Sequence, residues 1–228
     1  MPDLYVRALC PLSSACSVPA MTDELHYLRL PGAQGGRAEM VRLCFVLADR
    51  PWKDVLHPRE EFVTAGQRNP FKQFPYLVTA NGELIPQSMA IMHHAAHGTA
   101  AWPADPASLS RALVVAQGAY DLYQAFGGFA ADDVVAKKKF EERRAPQYLG
   151  ALAAVYAERP FAAGEAPSFA DCIAREAIHW CVRRNDVAKG IFEGHPSLVA
   201  FMARFEAIPS IAAFLARQAA ARAADDSV

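Results

Sequence analysis

Every signal of alternating or turn-bounded strand stops at Trp102-Pro103, and from there onward the chain reads as helix alone. The segments 106–129, 133–157, 168–184 and 195–221 are Ala/Leu-rich with apolar residues at helical spacing, and none shows strand alternation. Pro146 predicts a kink or break inside the second of them. Two layer types in succession argue for two units joined near Gly98 to Asp105. A chain of 228 residues has the material for both, each with its own core and without staples.

The first unit has a readable order. Leu25 to Leu30 (LHYLRL) alternates as a strand covered on one face does, and a loop holding Pro31, Gly32, Gly35 and Gly36 follows. From Arg37 to Asp49 the apolar residues Ala38, Val41, Cys44, Phe45 and Ala48 fall on one helical face. Trp52 to Leu56 reads as a second strand, and Pro58 to Gly66 as irregular chain or a short helix. Tyr76 to Ala80 and Glu83 to Ile85 flank Asn81-Gly82, a hairpin signal that predicts positive φ at both turn positions. Ser88 then opens a helix through His97, which Gly98 can close. The order is β-α-β-(α)-β-β-α. A strand–helix–strand crossover makes the first two strands parallel and the hairpin adds antiparallel partners, a thioredoxin-like arrangement.

Composition removes several classes of function. With 23 basic against 24 acidic residues there is no electrostatic case for nucleic acid. No stretch approaches the about 20 apolar residues that span a bilayer. The five cysteines (Cys10, Cys16, Cys44, Cys172, Cys181) show no CxxC spacing. Cys44 and Cys172 sit in apolar helical patterns as small hydrophobes, so a reducing, cytoplasmic setting is expected. The opening MPDLYVRALCPLSSACSVPA lacks the apolar core of a secretory signal, and one Arg makes a poor transit peptide. Residues 1–22 are therefore read as a weakly ordered extension, with Met21 an ordinary start for the folded part.

Five motifs carry a resemblance. Phe71-Lys72-Gln73-Phe74-Pro75 resembles a P-F-G-Q-L-P turn, and Gln87-Ser88-Met89-Ala90-Ile91 resembles Q-S-x-A-I. Arg37-Ala38-Glu39 with Val41-Arg42 resembles R-A-E-x-I-R, ten residues beyond Tyr27 in the first strand. Gly164 to Asp171 (GEAPSFAD) resembles G-x-x-x-S-x-A-D, and His195 to Leu215 resembles the closing Pro- and Leu-bearing stretch of the same family. The family is the cytosolic glutathione transferases, and the tyrosine-using alpha, mu, pi and sigma group is the nearest, sigma above all. The resemblance implies a thioredoxin-like domain over 23–99 that binds glutathione and an all-helical domain over 105–222. It further implies a homodimer that conjugates glutathione to small hydrophobic electrophiles, a detoxifying activity with glutathione as co-substrate.

Each site residue has a bland reading beside the functional one. The resemblance implies that the backbone of Phe74 before a cis Pro75 pairs with glutathione's cysteinyl unit like a short strand; an ordinary trans, strand-start proline is the alternative. Ser88 at a helix N-terminus suits the γ-glutamyl carboxylate, with Gln87 adding an amide contact and Gln73 bonding the tripeptide backbone; otherwise Ser88 is only an N-cap. Tyr27 is the implied catalytic group. A thiol near pKa ~8.5 is mostly protonated at neutral pH, and lowering it by about 2 units requires ~2.7 kcal/mol. One hydrogen bond to a charged acceptor supplies about 1.5–3 kcal/mol, so no metal is needed. Arg37 either assists electrostatically or pairs with Glu39 or Glu83. Ser168 and Asp171 form a capping box whose work is structural. His93, His94 and His97 have no carboxylate or cysteine at ligand spacing, and the metal reading is discarded. Cys10-Pro11 resembles the cysteine-type transferases but lacks a strand and helix in register, and is set aside.

The chain also departs from the family. The loop Pro31 to Gly36 is longer than its relatives'. Phe62 stands where the family keeps a tryptophan donating to glutathione's glycyl end, and a phenyl ring donates nothing. Gln117 replaces the acidic residue that reaches the partner subunit's ligand, losing the charge. Both predict weakened glutathione affinity. Tyr120, Tyr123 and Phe126 are the candidates to line an apolar electrophile pocket between the domains. Against the transferase reading stand a non-catalytic ligand-binding or structural relative and a sigma-like isomerase or peroxidase.

Overall fold

The computed structural model describes residues 22–29, 35–127 and 132–225. Residues 1–21, with Cys10 and Cys16, and the greater part of the Pro31–Gly36 loop lie outside them.

The first half folds as β1 (Asp23–Leu28), α1 (Arg37–Leu47), β2 (Trp52–His57), a single 3-10 turn (Arg59–Glu61) running into α2 (Phe62–Gly66), β3 (Tyr76–Val78), β4 (Leu84–Pro86) and α3 (Ser88–Ala96). The sheet order is β2-β1-β3-β4. β1 lies parallel to β2, with Tyr27 opposite Leu56, and antiparallel to β3, with Leu25 opposite Leu77. β3 and β4 form the antiparallel hairpin. The predicted alternation is present: Leu25 is fully buried on one face, while His26 on the other stacks on Tyr76 with ring centroids 4.5 Å apart. The strand starts two residues earlier than its alternation suggests, because Asp23 and Glu24 already pair with Trp52 and Lys53.

The hairpin turn differs from the expected one. Gly82 has φ 82 but Asn81 does not take a positive φ. Thr79 N–H donates to Glu83 O and Gly82 N–H to Thr79 O, both at 2.8 Å. The connection is thus a three-residue loop, a right-handed turn closed by one left-handed glycine.

The second half is helical: α4 (Pro106–Gly127), α5 (Val134–Lys139), α6 (Ala145–Glu158), α7 (Phe169–Val182), α8 (Asp186–Glu193), α9 (Pro196–Glu206) and α10 (Pro209–Asp225). The break expected at Pro146 is a single π-helical turn, Phe140–Arg144, between α5 and α6. The proline follows that turn in a helix that runs on from α5, and the wider turn before it clears its ring while its missing N–H leaves one bond unmade. The stretch 195–221, read as one helix, is two helices bent by 85° where Pro209 begins α10. α8 was not foreseen; Asn185 caps it, its side chain accepting Ala188 N–H at 2.9 Å.

α7 is the centre of the molecule, packing against α4 and also against α1 and α3 of the first half. Ser168 and Asp171 cap its start. The buried Asp171 carboxylate accepts Ser168 N–H (2.8 Å), Ser168 Oγ (3.0 Å), Ala162 N–H (2.8 Å) and Tyr156 OH (3.0 Å). Burial nonetheless pushes its pKa up to about 6 against those four donors. Among the described residues Cys44, Cys172 and Cys181 are buried free thiols, and no single helix is long and apolar enough to cross a membrane.

Candidate functional site

Four separated stretches converge beside the sheet. Gln73, Phe74 and Pro75 from the turn before β3, Gln87 and Ser88 from the start of α3, Arg37 from the start of α1 and Tyr120 from α4 line one narrow cleft. Its volume is about 10 Å³, room for a water and not for a tripeptide. The Phe74–Pro75 peptide is cis.

Local sequence explains this convergence. The buried Asn69 donates from its side chain to Gln73 O at 2.7 Å and accepts Phe71 N–H at 2.8 Å, while Lys72 N–H returns to Asn69 O at 2.9 Å. Lys72 takes φ 52 to make that reversal. Asn69 was not singled out from the sequence, although Asn-Pro is a turn signal.

At α3 the N-cap is Gln87, with φ 72 and ψ 122, and it makes no side-chain capping bond. Ser88 is the first helical residue and buried, so the reading of it as the N-cap is corrected. An L-residue with a side chain held at that φ costs about 1–3 kcal/mol. The same geometry leaves the first-turn N–H groups of α3 without a side-chain cap of their own.

Tyr27 lies deeper, outside the cleft lining. Its half-buried hydroxyl lies close to the backbone N–H of Arg37. It also lies against Gly36, where a Cβ would come within 2.5 Å of it. Burial raises the Tyr27 pKa, opposed by that N–H and by the charges of Arg42 and Arg37, so the hydroxyl stays protonated and able to donate. Arg37 therefore links the two places, its backbone on Tyr27 and its side chain in the cleft. That side chain also makes a short hydrogen bond to Gln124 Oε1 on α4, which corrects the expected pairing with Glu39 or Glu83.

Glu39 is instead part of a buried network. Its Oε2 accepts Arg42 Nη1 (3.1 Å) and Gln218 Nε2 (3.2 Å), and Arg42 reaches on to both oxygens of Asp54 at 2.9 and 3.1 Å. Beside it on α7 the buried Glu176 accepts Arg175 Nη1 (3.2 Å) and lies close to the N–H of Gly36. Arg175 spends its two shorter bonds, 2.9 and 2.7 Å, on Glu206. Burial and the nearby Glu39 carboxylate push the Glu176 pKa up to about 8. Nothing in the sequence singled out Glu176, though a charged pair inside the apolar run ADCIAREAIHW was a visible anomaly.

A cavity of about 570 Å³ lies along α7, α9 and α10, and Gly35, Glu39 and Glu176 are in its wall. Tyr120, Tyr123 and Phe126 do not line it. Tyr120 is at the cleft, Tyr123 is buried against Trp180 with centroids 5.5 Å apart, and Phe126 packs on Phe140. Phe62 is exposed and lies against the Phe74 ring at 5.9 Å. Gln117, exposed on α4, donates to Asp121 Oδ1 at 2.9 Å. His93 and His97 pack on Trp102, and among the described residues no group of three or more His, Cys, Asp or Glu could hold a metal ion.

Residues 120–218 match the family described as Glutathione S-transferase, C-terminal domain. No curated protein matches the chain in sequence. Solved structures share its fold at low identity. Rat hPGDS complexed with a quinoline is 20% identical with a TM-score of 0.74, over 86% of this chain and 96% of that one. The pi-class glutathione S-transferase of Onchocerca volvulus is 21% identical with a TM-score of 0.74, over 89% and 96%. Prostaglandin synthase D of Nilaparvata lugens is 18% identical with a TM-score of 0.73, over 85% and 96%. The chain thus shares the fold of these glutathione transferase structures over 86–89% of its length, and residues 120–218 of its helical half match the glutathione S-transferase C-terminal domain model.

Proposed function

We propose that this protein binds glutathione over the cleft between the Gln73–Pro75 turn and the start of α3 and joins its thiolate to small hydrophobic electrophiles. The observation that carries the reading is the meeting of Gln73, Phe74, Pro75, Gln87, Ser88 and Arg37 at one point from three distant stretches. In this reading the γ-glutamyl carboxylate rests on Ser88 and the uncapped N–H groups of α3. Gln87 and Gln73 add amide bonds, and the backbone of Phe74 takes the cysteinyl unit. The cleft volume means that the tripeptide lies over these groups rather than inside them.

Tyr27 is the thiolate-stabilising group, its hydroxyl kept protonated by burial. One such bond is worth about 1.5–3 kcal/mol, enough to bring a thiol into the neutral range. Arg37 adds positive charge on the cleft side. Phe62 offers the glycyl end no donor and Gln117 offers a partner subunit no charge, so affinity is below that of a typical family member. Exposed Phe62, Phe71, Leu113 and Val114 supply apolar surface for a homodimer. The buried free thiols support a cytoplasmic setting. The strand-free run after Trp102 supports domain limits of 23–99 and 105–222. Two structural neighbours carry prostaglandin-synthase names, and a glutathione-dependent isomerase activity is the related alternative.

A non-catalytic carrier is the second reading, favoured by the narrow cleft and by Phe62. Turnover of an aryl halide with glutathione, wild type against Tyr27→Phe, decides between them. The transferase reading expects retention on immobilised glutathione and a loss of turnover of roughly tenfold or more in the variant. Retention without turnover supports the carrier, and neither retention nor turnover removes both.

A further inference from the structure

We propose that the cavity along α7, α9 and α10 is a binding site for a protonated amine on an apolar body, with the ammonium seated on the Glu39 carboxylate. The site is separate from the glutathione cleft, since no residue lines both. It does not rest on the glutathione-conjugating reading.

An unmade hydrogen bond is the first argument. Glu39 is only 2% exposed, and both of its donors, Arg42 Nη1 at 3.1 Å and Gln218 Nε2 at 3.2 Å, go to Oε2. Oε1 is buried and has no hydrogen-bond partner among the described residues. A buried carboxylate oxygen without a donor is costly, and folded proteins rarely leave one. Glu39 and Gln218 both stand in the cavity wall, so the cavity is where the missing donor would sit.

Charge is the second argument. Glu39 and Glu176 are two buried carboxylates in this wall. The guanidinium beside each is shared outward. Arg42 reaches both oxygens of Asp54 at 2.9 and 3.1 Å, and Arg175 gives its shorter bonds, 2.9 and 2.7 Å, to Glu206. Four carboxylates thus divide two guanidiniums, which leaves the buried pair short of positive charge. The other cations of the wall, Arg183 and Arg184, are exposed; Arg183 lies beside His179 at 3.4 Å and Arg184 over the Trp180 ring at 3.7 Å.

Shape is the third. At about 570 Å³ the cavity has room for a drug-sized molecule, and Ile178, Phe192, Met202 and Leu215 give it apolar sides. An ammonium brings three donors and a positive charge, which meets both the bare oxygen and the charge deficit. A neutral alcohol meets only the first, and a carboxylate meets neither.

The test uses naphthylmethylamine, naphthylmethanol and naphthoate, which share one apolar body and differ in the polar group. Calorimetric titration of wild type should show the amine bound roughly tenfold or more tighter than the alcohol, as a hydrogen bond between charged groups outweighs a neutral one, with naphthoate weakest. Glu39→Gln keeps the shape and an acceptor but not the charge, and should bring the amine down to the alcohol's affinity. Met202→Trp fills the cavity from a half-buried position in its wall and should weaken amine and alcohol alike. Saturating glutathione should change none of these affinities.

No binding of any probe, naphthoate bound as tightly as the amine, or amine affinity unchanged in either variant overturns the proposal. Displacement of the amine by glutathione places it in the Ser88 cleft and overturns it too. If Glu39→Gln does not fold, the wild-type affinities and Met202→Trp decide. A chain that turns over no electrophile loses the transferase reading and leaves this site standing.

Discussion

The side-chain amide of Asn69 is bonded to the main chain of Gln73 at 2.7 Å, and so ties the loop after α2 to the turn that enters β3. A buried asparagine that both donates to Gln73 O and accepts from Phe71 N–H does the work of a short strand pair where no strand exists. It fixes the turn that carries Gln73, Phe74 and Pro75 toward the start of α3 without itself lining the cleft.

Replacing Asn69 by alanine removes both bonds and leaves the Gln73 carbonyl and the Phe71 N–H, on two exposed residues, to find new partners. Each such bond contributes about 0.5–1.5 kcal/mol. The expected outcome is a lower unfolding midpoint together with glutathione affinity reduced roughly tenfold or more. Calorimetric titration and thermal unfolding measure the two separately. Unchanged affinity in a folded variant would show that the turn holds its shape without Asn69.

Gly36 is the second control point. It has φ 80, and a Cβ there would stand 2.5 Å from the Tyr27 hydroxyl. Gly36→Ala therefore has both an unfavourable backbone and a collision. The hydroxyl must move, so turnover with an aryl halide should drop roughly tenfold while retention on immobilised glutathione persists, since the Ser88 end of the cleft is untouched. Steady-state kinetics beside a retention assay reads both.

Apart from Tyr120 in the middle of α4, the cleft was legible because its residues sit where the backbone does something local: a proline turn, a helix start, the residue after a glycine. The sheet was legible for a similar reason, since alternation in Leu25 to Leu28 and the crossover around α1 leave little choice of order. What escaped was non-local. Glu176 looks like one polar residue in a helix until α1 is packed against α7, and the partner of Arg37 is Gln124, 87 residues away. Asn81-Gly82 announced the hairpin correctly but not its length, because the Thr79–Glu83 pair, set by the strand register, decides how many residues turn. The narrowness of the cleft and the placement of the large cavity along α9 and α10 follow from packing that no motif records.

Asp171 should be the most costly single truncation in the helical half. Its carboxylate accepts four hydrogen bonds, from Ala162 N, Ser168 N, Ser168 Oγ and Tyr156 OH. Asp171→Ala strands buried donors from three segments at once, and losses of about 3–5 kcal/mol accompany the breaking of such buried networks. The protein should either melt many degrees lower or fail to accumulate as soluble material. Ser168→Ala, which removes one donor and leaves the carboxylate with three partners, should cost only about 1 kcal/mol. Urea unfolding of both variants checks the order, and a variant pair of equal stability would contradict it.

The pH dependence of stability isolates Glu176. Its folded value of about 8 lies above the ordinary 4.5, so between these values the folded protein binds more protons than the unfolded chain and stability falls as pH rises. Two other groups act only lower on the scale: Asp171, with a folded value of about 6, and His26, pushed down to about 4 by burial and so losing stability as pH falls below 6.5. From about pH 6.5 to about pH 8 the slope therefore belongs chiefly to Glu176, with buried Glu39 acting in the same direction. One proton per molecule corresponds to a maximum of ~1.4 kcal/mol per pH unit, or ~3–6 °C for a chain of this size. Wild type should accordingly melt several degrees lower at the upper end of that window, and Glu176→Gln, which has no proton to lose there, should show a much flatter profile. Thermal unfolding followed by circular dichroism across the window reads the slopes directly; parallel curves for the two proteins would mean that Glu176 is already ionised in the folded state at neutral pH.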